Sequence, residues 1–598
     1  MQTNTDIAHV DGEQGAMNCA PTSHNQTITS RSRTMPILFL TLGMMGAVLF
    51  LDAVLPLGGF WFHTALLSTI GSWSLLPTHI LFPGWAITTS ITNPNATAPA
   101  PSLGWQQMPF LISAFLLVFL VYLVALRFLP RYYVTYRAIF ISTLVIGCIY
   151  LLYPVVTSPD IFSYIGYARM GVIYHLNPLT TLPTAISSDP VYPQLYWNNQ
   201  PSAYGPTWAG ITSLLQWLTL VFGTQSLLPM VLALRLLGLA THLCSTLLIW
   251  HIIGRVQLMQ GPLSIETERK RWLATFAFAW NPLLLFEASV NAHNDAQVLL
   301  LLLLALWFLL PTSLPGVDGD SGGRRRASPL RGVGVLALAA CLKLNIVVLL
   351  PFVLLYLWKQ GRRPLLTVTT ATLLFGGIIV VLYAPFWQNG AILNILHTNP
   401  TTSRDINTLP EFLFRLYNSI ITDLGFPRPP LDGSVAENVS HTLNIGLFVL
   451  LYVLLLWQAL RSAQALRTFP SLLCWLALAW LLYCASGTPW FWPWYTVTFF
   501  GLYALVEATY QGEVPLLDVK HLSLAVALLA FSMLSIYCFY AWAPHDTYIP
   551  GLPDFQWAYL RGVWAWLIPL LALCWNWNLH PRMGQRYHAI QENHAEYK

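Results

Sequence analysis

Asp160 stands directly after a long apolar run, in the segment Tyr153-Pro-Val-Val-Thr-Ser-Pro-Asp-Ile-Phe-Ser-Tyr164. A carboxylate at such a border can take a proton from a hydroxyl at a water–lipid boundary. Capping a helix is the plain alternative for an Asp after Ser-Pro. A second polar group, His293-Asn294-Asp295, interrupts another apolar stretch. These residues suit sugar hydroxyls, and Asn294 or Asp295 equally suits the cap of the helix that follows. Lys343 lies in the middle of a third run, where an ammonium is expensive unless paired or hydrated. Arg169, Lys343 and Arg404 are the cations that could meet a phosphate, where charge grows as a leaving group departs. Arg169 could instead snorkel from an interfacial helix, and Arg404 is the loop residue with the least to distinguish it. Lys343 has a rival role in a structural ion pair with Glu287.

These residues sit in a chain of 598 residues that is 56% hydrophobic and 9% charged. Soluble domains carry about 25% charged residues. Repeated Leu-rich runs of about 20 residues read as transmembrane helices. We therefore expect an all-α polytopic integral membrane protein of about 12 to 14 spans, with interfacial helices in its external loops. The formal charge of +5 comes from Lys and Arg scattered at helix ends. That pattern sets topology and offers no footprint for nucleic acid. Cys19 lies in the polar N-terminus, and the other seven cysteines lie in apolar runs and read as buried free thiols. No metal-type cysteine spacing is visible. No cofactor is predicted, and a divalent metal is left open.

Residues 1–33 read as a disordered cytoplasmic segment, 34–580 as the transmembrane domain and 581–598 as a cytoplasmic tail. Met35–Leu55 is too long for a signal peptide and reads as a span. Arg31 and Arg33 put the N-terminus inside, and the flanking basic residues then place five external loops, at about 157–205, 291–295, 388–440, 487–495 and 542–560. Residues 56–106 read as a further external stretch with interfacial pieces. Ile161, Tyr164, Ile165, Ala168 and Val172 recur at helical spacing, which predicts a helix from Asp160 to Ile173 lying on the membrane. Residues 206–254 need an odd number of crossings yet look like two apolar segments, so one of them could be re-entrant. Gly332–Trp358 has basic residues at both ends, which predicts a short hairpin with Lys343 and Asn345 at its apex.

The stretch Ser158-Pro-Asp-Ile-Phe-Ser-Tyr-Ile-Gly-Tyr-Ala-Arg169, followed by Asn177-Pro178, Trp197 and Tyr204-Gly-Pro206, resembles the first-loop signature of GT-C-type polyprenol-phosphomannose-dependent mannosyltransferases. The α-1,6-mannosyltransferases of mycobacterial and corynebacterial lipoglycan assembly are the group it is most similar to. Asn291-Ala-His-Asn-Asp295 resembles the family's His-Asn-Asp loop, and Pro489-Trp-Phe-Trp-Pro-Trp-Tyr495 its Pro-Trp-Tyr motif. Leu179 stands where an aromatic follows Asn-Pro, and Asn291-Ala292 where a Gly pair is usual. These departures leave the sugar and acceptor open.

The resemblance implies a multi-spanning GT-C-like fold with an external active site in a bacterial plasma membrane, and Asp160 as the catalytic base. It implies substrate contacts from Tyr164, Arg169, Asn177, Trp197, Tyr204, His293, Asn294, Asp295, Trp494 and Tyr495, to which the need for cations at the phosphate adds Lys343 and Arg404. Loop packing remains the alternative for Trp197 and Tyr204, and membership of an interfacial aromatic belt for the tryptophans at 490–494. The implied partners are a polyprenyl-phosphate sugar donor, a glycan or glycolipid acceptor and the bilayer. The rival reading is a transporter or flippase of a lipid-linked substrate. Its polar residues should gather at the midplane on broken helices, whereas here they gather in external loops. A structural subunit would show no dependence on Asp160.

Overall fold

The computed structural model describes residues 35–54, 75–76, 108–131, 134–155, 157–311, 329–395, 405–427, 434–512, 519–538, 549, 551–552 and 555–575. In chain order the helices are α1 (Met35–Val54), α2 (Met108–Phe128), α3 (Tyr136–Leu151), α4 (Asp160–Val172), α5 (Pro206–Thr219), α6 (Leu228–Gln260), α7 (Ile265–Ala279), α8 (Pro282–Ser289) and α9 (Asp295–Leu309). They continue with α10 (Pro329–Ala340), α11 (Leu350–Gln360), α12 (Pro364–Tyr383), α13 (Leu409–Asp423), α14 (Val435–Arg461), α15 (Phe469–Leu482), α16 (Val497–Thr509), α17 (Val519–Tyr537) and α18 (Arg561–Trp575). Among the described residues no strand occurs; Ile406 and Trp490 form one isolated bridge.

Six helices, α1, α2, α6, α12, α14 and α15, are long and apolar enough to cross a membrane, and shorter apolar helices pack among them. Leu443, Leu447, Leu450 and Leu454 of α14, and Leu366, Leu373 and Val380 of α12, face outward. Apolar faces of this extent belong in lipid. The protein is an all-α polytopic membrane protein. The ambiguity at 206–254 resolves into the short helix α5, a left-handed glycine at Gly223 and the single helix α6 of 33 residues. At 1.5 Å per residue α6 is roughly 50 Å long, well beyond the ~30 Å hydrocarbon core.

Three expectations need correction. The helix from Asp160 does form, but it does not lie on a surface: Asp160 through Met170 are all buried. Its polar-looking face is covered by α5 and by the loop that carries Leu195, which touches Gly166. Cys148, Cys244 and Cys574 are exposed on the outside of the bundle, whereas Cys341, Cys474, Cys484 and Cys538 are buried. The span expected over 272–290 is broken: Asn281 accepts the N–H of Leu283 at 3.0 Å, with Pro282 opening α8 as a separate piece. Residues 1–33, 56–74, 324–326 and 581–598, about which the sequence also spoke, lie outside the described residues.

Close packing brings the polar breaks to one end of the bundle. Gly332 of α10 sits so near α9 that a Cβ would come within 2.9 Å of the Ala305 carbonyl oxygen, while Lys343 meets Asp295. The two helices therefore run antiparallel with residues 295 and 343 at the same end. The expected apex is a real break: α10 stops at Ala340, Lys343 is extended, and Leu344–Leu349 continues as a 3-10 turn.

Candidate active site

Asp160 is the first residue of α4, and its N–H donates to Ser158 Oγ at 3.3 Å. A carboxylate there is favoured by the helix dipole. Its Oδ2 accepts from the Tyr204 hydroxyl at 3.3 Å. Burial pushes the Asp160 carboxyl up to about 6, against the opposing pull of the Lys343 charge and the Tyr204 hydroxyl. The group therefore stays a carboxylate at neutral pH, near the range that suits a general base.

Tyr204 owes its position to the residue after it. The Gly205 N–H donates to Leu342 O and the Thr207 N–H to Cys341 O, both at 3.1 Å. A Cβ on residue 205 would lie 2.1 Å from the Cys341 carbonyl oxygen. Only glycine allows this approach, so Tyr204-Gly-Pro206 locks the Asp160 side of the site to the turn that carries Lys343. Tyr164 packs edge-on against both Tyr204 and Trp208, with ring centroids 5.0 and 5.1 Å apart.

Lys343 Nζ bonds both carboxylate oxygens of Asp295, at 2.7 and 2.9 Å, and stands 4.4 Å from the centre of the Tyr495 ring. The acid that pairs with it is thus Asp295, not Glu287. Two of the three ammonium donors are used by Asp295, and the side chain still reaches the wall of a cavity of about 320 Å³. Asp160, Trp197, Tyr204, Trp494 and Tyr495 share that wall.

The tryptophans expected in an interfacial belt are buried instead and face this cavity. The Trp492 and Trp494 rings stack 5.0 Å apart, and His293 stacks on Trp494 at 3.9 Å. Trp197 meets Trp490 at 5.5 Å. Their backbone is pinned from a second segment: Ile406 N–H donates to Pro489 O at 2.7 Å, Phe491 N–H to Ile406 O at 3.0 Å, and Asn407 Nδ2 to Phe491 O at 2.9 Å. Arg404 lies outside the described residues, just before this anchor.

The remaining expected residues divide. Tyr164, His293, Asn294 and Asp295 form a buried layer behind the cavity. His293 Nδ1 is 3.4 Å from the Tyr164 hydroxyl and 3.8 Å from Asp160 Oδ2. Asn294 occupies the cap position of α9 but makes no side-chain capping bond, because its backbone is already helical. Its amide atoms are buried without a hydrogen bond. Arg169 does not line the cavity. It forms a buried two-pronged pair with Asp189, at 2.7 to 2.9 Å, and also donates to Thr224 O. Neither the phosphate role nor snorkelling describes it; it ties the 183–195 loop to α4. Asn177 is likewise a brace, donating to Phe386 O at 3.1 Å and accepting the Leu179 N–H.

Sequence reasoning missed three groups. Gln200 lines the cavity, buried, with its side-chain oxygen unpartnered; it lies inside the Trp197–Pro206 motif and could have been named from it. Glu287, raised only as a partner for Lys343, accepts from Asn291 Nδ2 at 2.8 Å and from the Tyr537 hydroxyl at 2.7 Å. Arg235, fully buried in α6, donates to the carbonyls of Leu151, Tyr153, Pro154 and Val290. It gathers the two chain ends that lead into Asp160 and His293, and a lone arginine inside an apolar run was the signal.

Neither a curated protein nor a solved structure matches the chain. Residues 62–359 match a family model described as alpha-(1->6)-mannopyranosyltransferase, N-terminal domain. The matched half contains Asp160, Tyr204, His293, Asp295 and Lys343 and ends before the tryptophan wall. With the all-α membrane architecture around it, this match identifies the chain as a member of the alpha-(1->6)-mannopyranosyltransferase family.

Proposed function

We propose that the protein transfers mannose from a polyprenyl-phosphate donor to a hydroxyl of a lipid-linked or glycan acceptor, in a cavity on the external membrane face. The observation that carries this reading is one cavity bordered by a carboxylate, an ammonium and an aromatic wall. Asp160 takes the acceptor proton as the hydroxyl oxygen attacks the anomeric carbon. The bond from that carbon to the donor phosphate breaks, and the phosphate leaves with the electron pair. Lys343 meets the charge that grows on it. Trp197, Trp494 and Tyr495 offer flat apolar faces to the sugar ring and the first prenyl unit.

The test is transfer by purified protein in lipid nanodiscs, supplied with polyprenyl-phosphate mannose and an α-mannoside acceptor. The expected result is a mannosylated acceptor whose yield depends on the lipid donor. Transfer from nucleotide-activated mannose alone would overturn the donor assignment. Movement of the donor across the bilayer without transfer would replace the enzyme reading with the flippase one.

A further inference from the structure

A second cavity, of about 280 Å³, lies among α15, α16, α17 and α18, and the transfer reaction as proposed does not use it. Its direction follows from the helices that wall it. α16 leaves the active cavity just after Tyr495, α18 starts where Gly562 abuts the Thr408 carbonyl, and α15 climbs toward the turn that carries Tyr483. Ala485, Phe499 and Trp566 therefore form its near end, and Cys474, Val506 and Leu573 its far end. From Cys474 to Ala485 the chain rises roughly 16 Å at 1.5 Å per residue. The cavity is thus an elongated groove along the bundle axis, about half as long as the ~30 Å hydrocarbon core is thick.

Its chemistry is as one-sided as its shape. Of its lining side chains, only Cys474, Tyr503 and Trp566 carry a polar atom, and none carries a charge. The Tyr503 hydroxyl is turned away to Ser523, at 3.3 Å. A sugar or a phosphate finds little to bond there, whereas a hydrocarbon chain gains by burial. Leu570, at the border of the groove, is 55% exposed on the outside of the bundle, so the groove is reached from the lipid side. Aromatic rings join it to the active cavity. Trp566 stacks on Phe491 with centroids 5.5 Å apart, Phe491 on Tyr495 at 6.5 Å, and Lys343 Nζ stands 4.4 Å from the centre of Tyr495. Tyr483 and Ala485, two residues apart in the π-helical turn Tyr483–Gly487, line the active cavity and the groove respectively. Such turns recur at functional sites.

We propose that this groove holds the prenyl chain of the donor, whose phosphate sits at Lys343 and whose first units pass along Tyr495, Phe491 and Trp566. The proposal rests on the transfer reaction above and deepens it by giving the donor's tail a place. The other possible occupant is an acyl chain of a bilayer phospholipid. It would suit the same apolar lining, but nothing in its chemistry calls for a groove that ends one ring layer from the active cavity.

Transfer from donors of two lengths tests this: mannose on a full-length polyprenyl phosphate, and on a phosphate bearing a single isoprene unit. The wild-type KM for the long donor should be about tenfold or more below that for the short one, because each buried methylene adds to binding. Ala477→Phe on α15 and Ala525→Phe on α17 fill the groove from different walls. Either should raise the long-donor KM to that of the short donor and leave transfer from the short donor at its wild-type rate. A length preference that survives in the filled variants, or none in the wild type, would overturn the proposal. Equal losses on both donors would show a structural phospholipid site and overturn it too. If neither variant folds, the wild-type protein in nanodiscs is labelled with a polyprenyl phosphate that carries a photoreactive group just beyond its third isoprene unit. Labels on the groove-lining residues of α15 or α17 that unlabelled polyprenyl phosphate competes away support the proposal. Labels elsewhere, or labels that phospholipid removes equally well, count against it decisively. Labelling needs no turnover, so a wild-type protein labelled in the groove that transfers nothing from either donor strikes the proposed reaction alone.

Discussion

Asp160 is held by a helix start, a tyrosine hydroxyl and a buried imidazole, and its raised carboxyl sets an expected pH response. The basic form is the active one, and it disappears below about 6. We expect kcat/KM to be level above that value and to fall about tenfold per pH unit below it. Asp160→Asn should insert and fold, and lose about two to four orders of magnitude in turnover. Turnover near the wild-type rate in that variant would remove Asp160 from the chemistry. Lys343 needs a different experiment because it neutralises Asp295, which is 1% exposed. Lys343→Met alone leaves that acid buried and unpaired, a loss on the order of 3–5 kcal/mol. The informative protein is Lys343→Met combined with Asp295→Asn. It should regain the thermal stability lost in the single variant and still show a donor KM raised about tenfold or more. Wild-type donor use by the double variant would confine Lys343 to structure.

Among the elements, the turn at 205 and the break at 341–343 behave as one device. Gly205→Ala places a methyl group against a backbone carbonyl that cannot step aside. Overpacking of this kind costs about 1–3 kcal/mol. Here it should also shift Tyr204 and Lys343 together, lowering kcat more than the melting temperature changes. Full activity with a lowered melting temperature would show that the contact serves stability alone. The same elements show what could be read from sequence. The apolar runs marked α9, α16 and α18 nearly to the residue, because a backbone enclosed by apolar side chains pairs its own N–H and C=O groups by forming a helix. The motif residues Asp160, Trp197, Tyr204, Lys343, Trp494 and Tyr495 did come to one cavity. The burial of α4 was not legible, because helical spacing of apolar residues marks one buried face and cannot say whether a loop covers the other. Nor was the pairing of Arg169 with Asp189, which depends on how a loop folds back.

For the molecule as a whole, the polar breaks at 157–160, 204–205, 291–295, 341–345 and 405–407 meet at one end of the bundle, through the contacts of Asp160, Gly205, Lys343 and Ile406. From the basic residues at the opposite helix ends we propose that this end faces out of the cell. In a variant whose native cysteines are replaced, a cysteine at position 198 should react with an impermeant thiol reagent on intact cells, and one at position 326 only after lysis. The reverse pattern would invert the topology. The size of the cavity has a consequence for the product. About 320 Å³ is at the low end for a small-molecule site, so on the proposed reaction it would admit only the tip of an acceptor, with the rest of a glycan outside. Such an enzyme reads the terminal sugar and is blind to how many precede it. If the acceptor is a growing polymer that is released after each addition, lengths will spread as independent events do, with a variance near the mean. A sharply defined chain length in the cell would then have to be imposed by something other than this cavity, such as the supply of donor or a separate capping reaction.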